Sequence, residues 1–202
     1  MKKSIVFMAL LALSMGLAFA QESNLMLGGG MFLQSGGGRS YGCNPGAVLR
    51  VSYGLDFRLD DKWSVMPGVG LRSQLSDIRH FMWVGGDPDG MALADVFVVG
   101  RYHFEYDSSR IAVGLGPALS YMVVKDTYYV DADPNDPLNG KRKFNTVDIG
   151  LQPSIVFSRG KHFQWGFEGS LGLLNTKIQY PEYKRTGSIH LHYLAVTCGW
   201  HF

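Results

Sequence analysis

SIHLHYLAVTCGWHF, residues 188–202, decides how this chain folds. Counting back from the carboxylate, Phe202, Trp200, Cys198, Val196 and Leu194 are apolar at every second position, with His201, Gly199 and Thr197 between them. Successive side chains of a β-strand point to opposite faces, so this is a strand with one face turned to an apolar medium. The alternation lasts about ten residues, one tilted bilayer crossing. Further back the phase breaks. His192 and His190 take the apolar parity, while Tyr193, Leu191 and Ile189 carry the apolar weight. Either the strand projects beyond the hydrocarbon there, or a β-bulge exchanges its faces. Projection is expected, because the other strands also exceed the crossing length.

Seven matching stretches precede it. Residues 24–33 alternate on Leu25, Leu27, Met31 and Leu33. Residues 47–59 set Leu49, Val51, Tyr53, Leu55 and Phe57 against Arg50, Ser52, Gly54, Asp56 and Arg58. Asp60-Asp61-Lys62 then turns the chain into Trp63, Val65, Pro67, Val69 and Leu71, opposite Met66, Arg72 and Gln74. A period of two, with Pro67 among glycines, excludes a helix and predicts a hairpin. The remaining strands are centred on residues 94–105, 111–123, 147–157 and 163–173. Short turns at 60–62, 107–109 and 159–161 alternate with long polar connections at 35–45, 76–90, 126–142 and 178–187.

Eight strands with short turns on the side of both termini and long loops on the other predict an eight-stranded, antiparallel, up-and-down transmembrane β-barrel. A soluble barrel would be apolar inside and polar outside. Here the charges oppose the aromatics, and the aromatic face is almost free of charge, a pattern that only hydrocarbon rewards. The aromatic share of 13% suits interface girdles. Residues 1–20, with Lys2-Lys3, an apolar run and Ala18-Phe19-Ala20, form a signal peptide cleaved after Ala20, leaving 21–202 as the barrel domain. Export to the outer membrane follows, with its lipid, the periplasmic chaperones and the barrel-assembly machinery as partners; Trp200 and Phe202 serve as the assembly signal. A net charge of +2 gives no footprint for nucleic acid.

YGLDFRLDDKWSVMPGVGLRSQ (53–74) is similar to the "L-x-x-K-W-S-L-x-P-x-L-x-Y-S" hairpin of the PorT-like outer-membrane β-barrel proteins. RIAVGLGPALSYMV (110–123) resembles that family's "G-x-G-P-x-x-x-Y-L" strand, and the ending GWHF its "G-Y-R-F" close. The resemblance spans residues 24–202. It implies the barrel fold and no catalytic residues; members are mostly of unassigned function, and the named one, an accessory of a protein-secretion apparatus, supplies an alternative role by analogy.

The candidate site is the lumen. Arg50, Asp56, Arg58, Arg72, Asp95, Arg101, His103, Glu105, Asp148 and Glu168 share the inward parity. An eight-stranded barrel is just wide enough for side chains to fill it, so mixed charges there pair into a structural plug. A narrow polar channel for small solutes is the alternative. Other constellations are weaker. Asp131, Asp133 and Asn135 imitate the start of a calcium loop, but Asp136 replaces its glycine and Arg142 its glutamate. His190 and His192 share a face and await a third metal ligand. Asp77, His80, Asp87 and Asp89 occupy one loop with no catalytic spacing. The chain therefore reads as a non-enzyme without metal or cofactor, a structural or interaction protein that acts through surface loops or lateral contacts, with the loops as the place for a protein partner. Cys43 in the first loop and Cys198 near the opposite end are too far apart for a disulfide.

Overall fold

The computed structural model describes residues 22–36, 44–75, 90–106, 109–125, 147–160, 162–174, 176–180 and 185–202. They form β1 (Glu22–Gly36), β2 (Asn44–Arg58), β3 (Trp63–Leu75), β4 (Gly90–Tyr106), β5 (Ser109–Lys125), β6 (Val147–Arg159), β7 (Phe163–Gly172), β8 (Thr176–Tyr180) and β9 (Arg185–His201). Each strand pairs antiparallel with its neighbour, and β9 pairs with both β7 and β1, closing a barrel of eight staves. The last residue completes the closure: Ser23 and Phe202 exchange backbone hydrogen bonds at 3.2 and 2.9 Å.

Register fixes the shape. From Val48, the pairings run through Gly30, Ala195, Glu168, Ser154, Gly114, Arg101 and Ser64, and return to β2 at Arg58. The return point lies ten residues along the strand (58 − 48), so the shear number is ten. For eight strands that shear tilts each stave about 40° and leaves an interior that side chains fill. β9 runs without a register shift from Ile189 to His201, so it projects as a continuous strand with no bulge near Tyr193. The register shift lies elsewhere, between Ala92 and Leu93 on β4.

The final connection departs from expectation. Residues 178–187 are not simply a loop: β8 pairs with the start of β9, from Thr176 opposite Ile189 to Tyr180 opposite Arg185. β7 and β8 both pair with β9 as one stave interrupted after Gly172, where Leu173 and Leu174 both turn their N–H groups to the Ile149 carbonyl at 2.8 and 3.3 Å. The stave continues past the barrel rim as a two-stranded hairpin.

The outer wall is apolar all round. Leu27, Leu49, Leu71, Val96, Leu115, Leu119, Ile149, Phe167 and Leu194 all stand exposed on it. Around the end that carries the termini, aromatics gather: Trp63 meets Tyr102 edge-on at 4.9 Å, Phe157 stacks on Trp165 at 4.6 Å, and Phe163 meets Trp200 at 6.1 Å. Such a wall would be unstable in water but matches hydrocarbon flanked by an interface girdle. Cys198 is exposed on the same wall.

The turn at that end is built by Asp60, whose carboxylate accepts the backbone N–H groups of Lys62 and Trp63, each at 2.7 Å. Those two bonds hold its carboxyl below the ordinary aspartate range. The support is therefore present at neutral pH and fades as pH falls through the depressed pKa. Asp60→Ala should slow refolding into detergent micelles, followed by heat-modifiable gel mobility, and leave the final barrel unchanged.

Candidate functional site

Inward parity brings the lumen charges together in two groups. The central one is organised by Arg50 on β2. Its Nη1 donates to Asp95 Oδ2 on β4 at 3.2 Å, and its Nε lies 2.9 Å from Glu168 Oε1 on β7. Its Nη2 reaches Gln152 Oε1 on β6 at 3.5 Å, and its Nη1 also meets the Tyr193 hydroxyl on β9. Arg72 on β3 pairs with the other Asp95 oxygen at 3.3 Å and donates to Ser120 Oγ on β5 at 2.8 Å. Glu168 Oε1 also accepts from Gln152 Nε2 at 2.8 Å and the Tyr193 hydroxyl at 3.0 Å. Two guanidinium groups face two carboxylates, so the layer is neutral. Its cations also lie over aromatic faces: Arg50 is 5.3 Å from the Phe97 centroid, and Arg72 is 5.0 Å from that of Tyr193.

The second group lies toward the terminal end. Arg101 Nη1 donates to Asp56 Oδ2 at 3.2 Å, and His103 Nε2 shares a 2.7 Å hydrogen bond with Ser64 Oγ. At the mouth, Arg110 on β5 makes a bidentate pair with Glu22 on β1, at 2.8 and 2.6 Å. Arg58 stands 4.0 Å from the same carboxylate. In the ring order β1 and β5 are four staves apart in either direction, so this pair crosses the full width of the mouth.

Not every expected lumen charge is inside. Glu105 is exposed, and Arg58 is only half-buried. β3 stops pairing with β4 at Trp63 opposite Tyr102, so Glu105 has only β5 beside it, opposite Arg110, and its β3 side stands open. Asp148 is buried toward the loop end, away from Arg50.

The interior is also less polar than expected. Phe32, Val48, Leu93, Met122, Leu191, Tyr193 and Ala195 pack as a buried apolar layer at the loop end. Phe97, Val99, Met66 and Ala118 form another, and Met26 reaches Ala112 and Val156 on the far wall. Gln152 and Ser120 have the inward parity but no charge, Tyr193 reads as apolar weight in a phase break, and Glu22 and Arg110 lie at strand ends beyond the alternation that marks the lumen. Glu22 shares the inward parity of Asn24, and Arg110 that of Ala112.

His190 and His192 stack with parallel rings, centroids 6.1 Å apart, and the Gly172 carbonyl accepts from His190 Nδ1 at 3.3 Å. Among the described residues no three His, Cys, Asp or Glu side chains form a metal-sized group. Asp77, His80, Asp87, Asp89, the 131–136 run, Cys43 and the 1–20 leader lie outside the described residues.

No family model matches the sequence, and no curated protein matches it. Solved structures do. OprG from Pseudomonas aeruginosa superposes with a TM-score of 0.54 at 11% identity, covering 91% of this chain and 97% of that one. Neisserial surface protein A superposes with a TM-score of 0.54 at 10% identity, covering 89% and 97%. OprG is described as an outer-membrane protein, and what this chain shares with both structures is the closed antiparallel β-barrel.

Proposed function

We propose that this chain is a Gram-negative outer-membrane protein with a plugged lumen, and that it acts as a structural or interaction protein through its loop end. The observation that carries the reading is the Arg50 layer: one guanidinium engages β4, β6, β7 and β9 from β2, so the bore is spanned by bonded side chains. Residues 1–20 would be the leader, cleaved after Ala20, and Trp200 and Phe202 the signal read by the assembly machinery. The terminal end then faces the periplasm and the loops face outward, as short periplasmic turns and long outer loops require. Membership of the PorT-like proteins, and with it accessory work in secretion, rests on the 53–74 and 110–123 motifs. No catalytic role is assigned.

Single-channel recording in planar bilayers tests the plug. Purified barrel should give no conductance steps, and reproducible steps would favour the narrow-channel reading instead. An interaction role further requires that a crosslinked partner be lost when residues 126–142 are trimmed. A partner retained after trimming would move the contact away from that loop.

A further inference from the structure

We infer that the outer wall carries a groove that holds one saturated acyl chain of a lipid in the leaflet at the loop end. The inference rests on the membrane reading above, and that leaflet is the outer one by the orientation proposed there. A groove of about 610 Å³ crosses β1 to β5, and its lining is almost wholly apolar. Its floor is main chain. Gly28, Arg50, Arg72 and Leu93 stand side by side in register. The three side chains turn into the lumen, so their paired backbone faces the groove. The wall nearer the termini is an unbroken row of exposed side chains, Leu27, Val51 and Leu71, paired in register. The wall nearer the loops is notched. Leu49 is followed across the strands by the short side chains of Ser73 and Ala92, and then by Val123. Val123 falls between the pairs Leu93–Met122 and Ala92–Val124, the extra residue of the register shift, and stands exposed.

Pitch and width select the occupant. The floor lies six residues from the terminal end of β1 at Gly28 (28 − 22) but thirteen from that of β4 at Leu93 (106 − 93), so the groove climbs toward the loops. Four strand spacings of about 4.8 Å, crossed at right angles to staves tilted about 40°, rise roughly 12 Å. That is most of the ~15 Å depth of one hydrocarbon leaflet. A chain anchored at the loop-end surface therefore enters through the Ser73–Ala92 notch and descends to Leu27 near mid-wall. The two side-chain rows are two residues apart, roughly 7 Å, too narrow for a helix of about 10 Å and wide enough for one hydrocarbon chain. Lipid tails are as apolar as leucine, so hydrophobicity does not favour the groove over bulk lipid. Van der Waals contact does, because a chain in the groove touches protein on three sides where a chain on a flat wall touches it on one.

Native mass spectrometry of the whole barrel reads the occupant. Barrel in detergent micelles doped with dipalmitoyl phosphatidylethanolamine should keep one lipid per chain when the micelle is stripped away. Ser73→Leu with Ala92→Leu fills the notch and should lower that retention at least about tenfold, because the excluded chain is left with one-sided contact. Val196→Leu, an apolar change on the β9 wall away from the groove, should leave retention as in the wild type. These substitutions keep the wall apolar, and heat-modifiable gel mobility checks that each variant folds; if the double variant does not, Ser73→Leu alone reads the same notch. Equal retention in wild type and notch variant, at one lipid or at none, would overturn the groove. A wild-type dimer that the notch variant loses would assign the face to a second copy and overturn the acyl chain as its occupant. Flotation with vesicles separates the two levels of the argument. A barrel that does not float fails the membrane reading and the groove with it, whereas one that floats but keeps no lipid fails the groove alone.

Discussion

Arg50→Met should destabilise the barrel by about 3–5 kcal/mol, because it leaves a carboxylate buried without its cation. Asp95 keeps Arg72 at 3.3 Å, so the stranded charge is Glu168, which retains only the neutral donors of Gln152 and Tyr193. Those bonds stabilise an anion far less than a guanidinium at 2.9 Å does. Removing both charges is a different experiment. In Arg50→Met with Glu168→Leu no buried ion remains, and replacing a buried pair by apolar volume is often neutral. The double variant should recover most of the loss. Urea unfolding in micelles, followed by tryptophan fluorescence, measures both. A single-variant loss below about 1 kcal/mol would reduce the network to the worth of a surface pair.

The outer wall was legible in the sequence because lipid imposes one rule on every stave: each second residue must be apolar. Trp200 and Phe202, Phe163 and Trp165, Leu49 and Val51 all obey it. The lumen obeys no such rule. Inward side chains answer only to one another across the bore, and those contacts depend on shear, which alternation does not encode. Parity gave the inward direction of Arg50 and Asp95 but could not pair them. Tyr193 and Leu191 looked like a break in phase at the loop end. In the structure they keep the phase and belong to the apolar layer with Phe32 and Leu93. Sequence charge also suggested Glu105 as a lumen residue, whereas the unequal ends of β3 and β4 leave it outside. The β8–β9 pairing has no signature in the sequence, because residues 178–187 are too polar for a lipid wall and ladder pairing beyond the rim needs no apolar face.

Closure of the terminal strand rests on a contrast between two adjacent glycines of β1. A Cβ on Gly30 would stand 2.0 Å from the Leu194 carbonyl oxygen and 2.6 Å from the Ala195 Cα. Both are backbone atoms of β9 and cannot rotate away. A Cβ on Gly29, pointing to the outer wall, meets nothing nearer than Leu49 Cδ2 at 3.7 Å. The same crowding recurs across the seam, where a Cβ on Gly199 would lie 2.0 Å from the Leu25 carbonyl oxygen. A coiled stave in a narrow barrel carries its inward Cβ vectors over its neighbour's backbone, and only glycine leaves room for the hydrogen-bonded approach. Gly30→Ala should therefore cost about 3 kcal/mol or more by overpacking, and should act on the β1–β9 pairing that closes the barrel. Gly29→Ala should stay within about 0.5 kcal/mol of wild type, as an outer-wall change with ordinary contacts. Heat-modifiable mobility after refolding separates them: Gly29→Ala should give the compact form in wild-type yield, and Gly30→Ala mostly the unfolded form. Equal yields from the two would mean that the seam opens enough to admit a methyl group, and that its glycines are not what permits the terminal strand to close the barrel.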